Sequence, residues 1–597
     1  MKKIIVLPLL FLALSVFAKP IGEERAREIA TNFFATSKTR TTAVVLELEW
    51  AGSDVDVTDR EIRQTRSAES NAEEGAGDEL IYIYNRVDTK GFVIVAGDDG
   101  VERAIIAFSH SNKFDMGNMP DGTKAMLQAW CKQIKATRNS KILKASPTRA
   151  ITDVGNVVCK YETALWGQHA PFNMHSPTYN GDKAPSGCVA TVMAILCFYN
   201  KWPEKGVGVT PEYSYEDDAG VSRTIPANEL GRIYDYSSML SNYSDEYSET
   251  QGVAVANLVY DTGTSVKMKY GQDGSSANSK NATKSMIQYF GYAKDAIQVY
   301  HTGYSEKEWC ALLQNNLKEY GPMPFSGRTD SSGHSFILDG CTDAGYFSIN
   351  YGWDGSGNGY YLLPDISYYQ NQNGAFCLVP DKDGTSEYRD YVTLQAFNAT
   401  SGNVYKGIYT TADSYSVGTK FKCYIAAASS GWVEFYGKIC VAHCDKLGKM
   451  KRIIWTWYRE TTPLKTGASG NSKSIYVEDA IEEGDRLRVF YKGTGSDEWV
   501  RALSGETGAY DEVLLCATPR EVAESLNLEY DKEQKTLTYN SIHAIQYSIE
   551  NESGAVLKAS KSASHTTNII DLSSLKSGKY IFAFASGGQP YKIKIVL

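Results

Sequence analysis

A chain of 597 residues is too long for one hydrophobic core, so the sequence predicts three to five domains. Hydrophobic residues at 42% and charged residues at 22% are ordinary values for a globular protein. The net charge of −9 argues against nucleic-acid binding, and after the N-terminus no apolar run approaches the roughly 18 residues of a transmembrane helix.

The N-terminus has the pattern of a secretory signal peptide. Lys2 and Lys3 precede the apolar run Ile4 to Val16, and Val16-Phe17-Ala18 places small residues at a cleavage site. We therefore predict a signal peptide over residues 1–18 and a secreted or cell-surface protein. The 11 cysteines are an odd number without a CxxC pair, so at least one thiol is free in a monomer and a structural zinc site is not expected.

Residues 19–150 are predicted to form a small α+β domain. A helix near Gly22 to Phe34 is followed by three short strands between Leu80 and Ser109 and by a helix from Thr123 to Ala136. The basic segment Lys141 to Thr152 is typical of an exposed, cleavable linker. On this pattern alone, residues 19–150 could equally be an inhibitory pro-domain or an ordinary N-terminal domain.

The remainder of the chain changes from mixed to purely β character. Residues 151–385 contain helices followed by strands, which is an α+β layout. Residues 386–522 and 523–597 are short strands at the spacing of β-sandwich domains. Neither β region contains a cluster of titratable residues that suggests chemistry.

Cys188 is the candidate nucleophile of the middle region. It follows the turn-forming Pro185-Ser186-Gly187 and opens an apolar run that extends to Leu196. That pattern places a thiol at the first turn of a buried helix, where free N–H groups and the helix dipole favour the thiolate. The alternative is a small buried cysteine at the end of a core helix, which is the commoner role of an isolated free cysteine.

A thiolate nucleophile needs a base, and the base needs an orienting group. His334 follows the turn Asp330 to Gly333 and begins an apolar strand, and Asn350 lies near the end of the next strand. In a hairpin, the Asn350 amide can accept the imidazole N–H, with Tyr351 and Trp353 as a shield from water. Gln168 is a candidate oxyanion donor.

The other histidines of this region lack such a setting. We expect surface or loop positions for three of them: His169, His175 and His301. No HxxxH motif or His/carboxylate cluster is visible, so neither a metal site nor a cofactor is expected.

These motifs together resemble the streptopain family of papain-fold cysteine peptidases. The resemblance covers roughly residues 153–385 and is carried by Trp-Gly-Gln, Gly-Cys-Val-Ala-Thr, Gly-His-Ser-Phe-Ile-Leu-Asp-Gly and Asn-Tyr-Gly-Trp-Asp-Gly, in that order. It implies a papain-like α+β catalytic domain with five catalytic residues: Cys188 as nucleophile, His334 as general base, Gln168 in the oxyanion hole, Asn350 as orienting residue, and Trp353. Tyr351 departs from the family pattern, which has tryptophan at that position.

Two further segments carry resemblances of their own. The run Phe92 to Asp99 resembles the inhibitory pro-domain of the same family, which favours the pro-domain interpretation of residues 19–150. Tyr547 to Ile549, Ile570 to Leu575, Gly578 to Tyr580 and the closing Lys-Ile-Val-Leu resemble a sorting domain of type IX secretion. A plain β-sandwich adhesion module is the alternative for this C-terminal region.

The sequence thus predicts a secreted cysteine endopeptidase made as a zymogen. Its partners would be protein or peptide substrates, its own pro-domain as an intramolecular inhibitor, and the secretion machinery at the C-terminus. One alternative is an inactive peptidase-like adhesin or binding protein, suggested by the long β-rich half and by Tyr351. Another is a different papain-fold amide chemistry, such as an amidase or a transglutaminase.

Overall fold

The structure, a computed structural model, describes residues 20–35, 44–53, 79–139, 151–217, 219–329, 332–399, 404–412, 414–505, 509–516, 529–531, 534–541, 546–551, 553–561, 566–586 and 589–596. The predicted signal peptide, residues 1–18, lies outside the described residues, as does most of the predicted linker. No helix among the described residues is long and apolar enough to cross a membrane.

The N-terminal unit, residues 20–139, consists of two helices and a sheet. Its elements are α1 (Gly22–Ala35), β1 (Leu46–Gly52), β2 (Ile81–Arg86), β3 (Phe92–Ala96), β4 (Ile105–Ser109) and α2 (Asp121–Asn139). Helix α1 buries Ala26, Ile29, Ala30 and Phe34, which have the spacing i, i+3, i+4 and i+8 and so share one face. The predicted helices and strands of this unit are confirmed.

The middle unit, residues 151–385, combines helices with a long antiparallel sheet. Its helices are α3 (Cys188–Asn200), α4 (Glu249–Ser265), α5 (Ser279–Phe290) and α6 (Glu306–Tyr320), with a 3₁₀ turn at His301–Gly303. Its strands are β5 (Val157–Lys160), β6 (Thr178–Tyr179), β7 (Asp182–Lys183), β8 (Val209–Thr210), β9 (Tyr213–Glu216), β10 (Ser222–Ile225), β11 (Asn228–Glu229), β12 (Ile297–Tyr300), β13 (Met323–Arg328), β14 (Gly333–Thr342), β15 (Phe347–Asn350), β16 (Gly359–Tyr361) and β17 (Gln370–Phe376).

Helix α4 was not predicted from the sequence. It begins with a capping box, in which the Ser248 hydroxyl accepts from the Gln251 N–H and the Gln251 side chain accepts from the Ser248 N–H. Its interior is rich in valine, threonine and glycine, which are weak helix formers. Packing against α3 around a shared core, which includes Val255, Leu258 and Val259, offsets that weak propensity.

One sheet runs through both units without a break. The strand order is β1-β2-β3-β4-β16-β15-β14-β13-β17-β12, and β5 pairs with β14 off this path. The junction is the antiparallel pairing of β4 with β16, in which Phe108 lies opposite Tyr360 and Ala107 opposite Tyr361. A single apolar core also spans the two units and includes Met126 of α2 together with Tyr351. The N-terminal unit is therefore integrated with the middle unit rather than tethered to it.

The C-terminal regions are β-structures with their own apolar cores. The first has β18 (Val392–Leu394), β19 (Ala396–Asn398), β20 (Val404–Lys406), β21 (Ile408–Thr410), β22 (Phe421–Ser429), β23 (Gly437–Cys444), β24 (Met450–Tyr458), β25 (Ser469–Ile475), β26 (Arg486–Gly493), β27 (Val500–Arg501), β28 (Leu503–Ser504) and β29 (Glu512–Leu514). The second has β30 (Glu529–Asp531), β31 (Thr536–Ser541), β32 (Gln546–Asn551), β33 (Val556–Lys561), β34 (Thr566–Asp571), β35 (Lys579–Ser586) and β36 (Gln589–Val596).

Each of these regions places two sheets around one core. In the first, β22 and β23 belong to different five-stranded sheets and contribute Ile425 and Val441 to the same cluster. In the second, a three-stranded and a four-stranded sheet share a core that includes Leu537 and Phe582. The predicted order of two α+β units followed by β-sandwiches is confirmed, and the domain boundaries 19–150, 151–385, 386–522 and 523–597 stay predictions.

Candidate active site

Cys188 is the first residue of helix α3. The preceding Gly187 has a φ of 89°, a left-handed conformation that glycine adopts without strain. No side chain caps this end of the helix, so N–H groups of the first turn remain available, and the N–H of Val189 donates to the Cys188 sulfur. The sequence prediction of a thiol at the first turn of a buried helix is confirmed.

The Cys188 thiol is hydrogen-bonded to the imidazole of His334, the second residue of β14. Burial is the largest single influence on the pKa of the Cys188 thiol and raises it, but the charge and hydrogen bond of His334 together with backbone hydrogen bonds outweigh it, so the pKa lies below its usual value. Burial is the largest single influence on the pKa of His334 and lowers it, but the Cys188 thiolate, the Tyr351 carbonyl and the Asp121 charge together outweigh it, so the pKa lies above its usual value. Both shifts favour a thiolate–imidazolium pair.

The second ring nitrogen of His334 defines the tautomer. Its Nε2 lies 3.2 Å from the carbonyl oxygen of Tyr351. Because a carbonyl only accepts hydrogen bonds, Nε2 carries the proton and Nδ1 is left for the Cys188 thiol. The acceptor that orients the imidazole is thus a backbone carbonyl.

Asn350 is placed next to that carbonyl, but its amide points elsewhere. Its Nδ2 donates to the Thr163 hydroxyl and to the Ala164 carbonyl, both at 2.9 Å, and its Oδ1 accepts from the Gly352 N–H at 3.1 Å. The prediction that the Asn350 amide accepts the imidazole N–H is therefore wrong. The register explains the difference, because Asn350 lies opposite Ile337 of β14, three residues beyond His334.

The two aromatic residues of the predicted shield, Tyr351 and Trp353, contact different histidines. The ring centroid of Tyr351 lies 6.4 Å from that of His334, and the Tyr351 side chain is fully buried. Trp353 instead packs edge-on against His169, with ring centroids 5.8 Å apart. Of these two predicted residues, the tyrosine, which departs from the family pattern, is the one that lies beside the imidazole.

Gln168 lies beside the turn that presents Cys188. Its backbone carbonyl accepts from the Ser186 N–H at 2.9 Å, and the residue is 5% exposed. The Thr191 hydroxyl, on the first turn of α3, lies 3.3 Å from the Gly167 carbonyl and 3.1 Å from the Ser186 hydroxyl. These bonds hold the Gln168 segment against the start of the helix, where an oxyanion donor would have to lie.

The N-terminal unit covers this site. Helix α2 begins at Asp121, and the second residue, Gly122, approaches His334 so closely that a Cβ at this position would lie 2.4 Å from the ring carbon Cδ2. The negative charge of Asp121 also contributes to the raised pKa of His334. In the preceding loop, the Asn118 carbonyl accepts from the Ser356 hydroxyl at 2.8 Å. The pair is therefore enclosed by the N-terminal unit.

Tyr369 is a neighbour of the site that sequence reasoning missed. It is fully buried beside Gly327, the residue opposite His334 in the β13–β14 pairing. Burial raises its pKa, and so does the negative charge of the nearby Cys188. No motif in the sequence marks this tyrosine, because it lies 35 residues after His334 and reaches the site only through the sheet.

The other histidines of the middle unit, and Cys197, differ in how deeply they are buried. His169 and His175 are exposed, as expected, but His301 is 1% exposed and stacks on Trp309 at 5.2 Å, which corrects the expectation of a surface or loop position. Cys197 is fully buried, and burial raises its pKa to about 12. Within the described part of the chain, no group of three or more His, Cys, Asp or Glu side chains is arranged to hold a metal ion.

Two family models match the chain in the order of these units. Residues 18–134 match the Spi protease inhibitor, and residues 166–361 match the Peptidase C10 family. The class is that of cysteine peptidases preceded in the same chain by a protease-inhibitor domain. Over residues 166–361 the chain matches the streptopain family, Peptidase C10.

Individual relatives agree with that assignment. The chain is 29% identical over 374 residues to the thiol protease/hemagglutinin PrtT of Porphyromonas gingivalis, a match that covers 60% of this chain and 40% of PrtT. It is 27% identical over 302 residues to streptopain of Streptococcus pyogenes, covering 48% of this chain and 74% of streptopain. The chain thus spans less than half the length of PrtT.

Two solved structures from Prevotella intermedia are also similar. A fragment of prointerpain A is 27% identical and covers 51% of this chain and 96% of the fragment, with a TM-score of 0.42. Active interpain A, a cysteine protease, is 29% identical and covers 37% of this chain and 94% of that protein, with a TM-score of 0.34.

Proposed function

We propose that this protein is a secreted cysteine endopeptidase made as a zymogen, with Cys188 as nucleophile and His334 as general base. The observation that carries the proposal is the hydrogen-bonded pair of Cys188 and His334 at the N-terminus of α3, in which each group shifts the pKa of the other toward its charged form. Such a pair supplies a reactive thiolate near neutral pH, where an ordinary thiol is mostly protonated.

The chemistry follows from the placement of the groups. The Cys188 thiolate attacks the peptide carbonyl carbon, and the negative charge moves to the carbonyl oxygen. The Gln168 amide and the Cys188 backbone N–H would donate to that oxyanion. His334 gives its Nδ1 proton to the leaving amine as the C–N bond breaks, which leaves a thioester on Cys188. A water molecule then loses a proton to His334 and attacks the thioester, releasing the carboxylic acid and restoring the thiolate–imidazolium pair.

The N-terminal unit would keep the zymogen inactive by occupying the cleft. Gly122 packs against the imidazole that must donate to the leaving group, and the loop before α2 is hydrogen-bonded to Ser356. A substrate cannot approach His334 while this contact persists. We propose that cleavage between about Lys141 and Asp153, in the basic linker, begins the release of this unit.

Export rests on the sequence patterns at the two ends. We propose that the segment 1–18 directs the chain out of the cytoplasm and that residues 523–597 serve as a type IX sorting domain. Deleting 523–597 is expected to leave the peptidase in the periplasm, whereas an adhesion module would leave secretion unchanged. Cell fractionation followed by immunoblotting distinguishes the two outcomes.

The assignment of the nucleophile is tested by Cys188→Ala with a matched control on the same helix. Cys197→Ala removes a thiol of the same helix that lies in the core and has a raised pKa. We expect Cys188→Ala to abolish both casein digestion and self-processing, and Cys197→Ala to retain both. Digestion of casein by the Cys188→Ala protein would refute the proposal, and a folded wild-type protein without any activity would favour the binding-protein alternative.

A further inference from the structure

We propose that Cys159 and Cys341 form a disulfide when the protein is exposed to an oxidant, and that this bond ties strand β5 to the strand that carries His334. The inference rests on the proposed export, because the cytoplasm keeps most thiols reduced. It does not depend on the peptidase chemistry, since neither cysteine lies in the catalytic pair.

The geometry of the two thiols is that of a cross-strand pair. Cys159 and Cys341 lie directly opposite each other in the antiparallel pairing of β5 with β14, and their sulfur atoms are 3.6 Å apart. Opposed residues in antiparallel strands have Cα atoms about 4.5–5.5 Å apart, within the range that a disulfide spans. A movement of the sulfur atoms of about 1.5 Å would bring them to bonding distance.

The surroundings of the pair define which thiol reacts first. Cys159 is half-buried, so an oxidant can reach it, whereas Cys341 is fully buried. Burial and the adjacent Cys159 together raise the pKa of Cys341 to about 12. Cys341 is therefore a poor nucleophile toward an oxidant in solution. The oxidant reacts first with Cys159, the accessible thiol beside it.

The reaction balances with a low-molecular-weight disulfide as the oxidant. The Cys159 thiolate attacks one sulfur of the oxidant, breaks its S–S bond and releases one reduced thiol. Cys341 then loses its proton to solvent and attacks the Cys159 sulfur, which displaces the second thiol. Two protein thiols are oxidised to one disulfide, and one oxidant molecule is reduced to two thiols.

Other cysteine pairs are less suited to the same reaction. Cys440 and Cys444 are four residues apart on β23, about 13 Å along a strand, which is too far for a direct bond. Cys310 is close enough to contribute to the raised pKa of Cys341, but it lies on α6 and has no strand partner among the thiols. Cys310 is thus the competing partner that the experiment must separate from Cys159.

The position of the bond gives it a role after activation. The segment that follows the linker is held by the N-terminal unit, because the Ala104 N–H donates to the Ile151 carbonyl and Arg103 donates to the Asp153 carbonyl. Those contacts disappear when the N-terminal unit leaves. A bond at Cys159 would keep the new N-terminal segment attached to β14, and it would close a loop of 182 residues.

The test uses the full chain carrying Cys188→Ala, so that neither self-processing nor catalytic thiol chemistry interferes. The protein is incubated with oxidised glutathione or with dithiothreitol, alkylated, digested and examined by mass spectrometry. We expect a linked peptide pair containing Cys159 and Cys341 only in the oxidised sample. Alkylation of both thiols after oxidation, or linkage of Cys341 to Cys310, would overturn the proposal.

Thermal melting gives a second test of the disulfide, and it requires no substitution of the buried Cys341. Closing so long a loop should raise the melting temperature of the oxidised protein by about 5–10 °C over the reduced one. We expect Cys159→Ser, a change at a half-buried position, to remove this shift, and Cys516→Ser, at a half-buried position in the β region, to keep it. Retention of the full shift in Cys159→Ser would contradict the assignment.

Discussion

The imidazole of His334 is oriented by the backbone of Tyr351, whose carbonyl oxygen lies 3.2 Å from Nε2. A backbone acceptor is positioned by the conformation of its loop rather than by one side chain. That loop is held by Asn350, which accepts from the Gly352 N–H and donates to Ala164. We therefore propose that Asn350 positions the residue that orients the histidine.

Asn350→Ala should therefore act on stability more than on the imidazole. It leaves the Gly352 N–H without its acceptor in a buried position, and we expect a loss of about 2 kcal/mol in the free energy of unfolding. The pH at which activity declines on the alkaline side should stay unchanged, because the acceptor of Nε2–H remains. The measurements are thermal melting and the pH profile of kcat/KM.

A second variant distinguishes a role of Asn350 in holding the loop from a direct hydrogen bond between the Asn350 amide and the His334 imidazole. Thr163→Val removes the hydroxyl that accepts from Asn350 Nδ2 and donates to Asp339, and we expect it to lower stability without moving the alkaline limb. If Asn350→Ala instead shifts the alkaline limb to lower pH without loss of stability, the Asn350 amide itself binds the imidazole in solution.

Gln168→Ala is expected to lower kcat by about 10²–10³-fold with little change in KM. The reason is that an oxyanion donor acts on charge that develops in the transition state, not on the bound substrate. His169→Ala is the control, because its exposed ring faces Trp353 rather than the Cys188 turn. Steady-state kinetics on a peptide substrate give both constants, and an unchanged kcat in Gln168→Ala would remove Gln168 from the oxyanion hole.

Gly122→Ala is expected to weaken inhibition by the N-terminal unit. The added Cβ would lie 2.4 Å from His334 Cδ2, so helix α2 and the imidazole must move apart. Alanine is the better helix former by about 1 kcal/mol, so a loss of inhibition cannot come from a weaker helix. The uncleaved protein should be labelled faster at Cys188 by an epoxide thiol inhibitor.

The control for this variant is Gly274→Ala, where a Cβ meets open space. It should be labelled at the wild-type rate. Equal labelling of wild type and Gly122→Ala would mean that the close approach of α2 to His334 does not restrain the site.

The pH profile of the activated enzyme should be a broad bell. The Cys188 pKa is lowered, so the thiolate persists as the pH falls through the usual thiol range and is lost only below it. The His334 pKa is raised, so the imidazolium persists above the usual value and is lost as the pH rises further. We expect kcat/KM to be flat around neutral pH, and a profile that rises only near pH ~8.5 would indicate an ordinary thiol.

The sequence was sufficient for the parts of the site that depend on local pattern. Gly187 before an apolar helix predicts where Cys188 lies, because the helix start is a local property. The orienting partner of His334 was not predictable, because it depends on the register of β14 against β15 and on a backbone atom that any residue supplies. Tyr369 was missed for a related reason, since it reaches the site through the order of the strands in the sheet.

The continuity of the sheet between the two units could also not be predicted from the sequence. A strand from Ala104 to Ser109 was predicted, but nothing local indicates that it pairs with Gly359 to Tyr361, about 250 residues later. Such non-local pairing is decided by tertiary packing rather than by propensity. The same pairing brings α2 onto His334, so the mode of inhibition could only be found from the structure.

The measurement that tests the central claim most directly is the pH dependence of Cys188 alkylation in the activated enzyme. We expect iodoacetamide to modify Cys188 faster than the other cysteines at pH ~6, well below the pKa of about 8.5 of an ordinary thiol. In His334→Ala the reaction should move to alkaline pH, because burial raises the pKa of the thiol and the largest influences that oppose it, the charge and hydrogen bond of His334, are removed. Modification of Cys188 only above pH ~8.5 in the wild-type enzyme, or preferential modification of another cysteine, would contradict the assignment of Cys188 as the nucleophile.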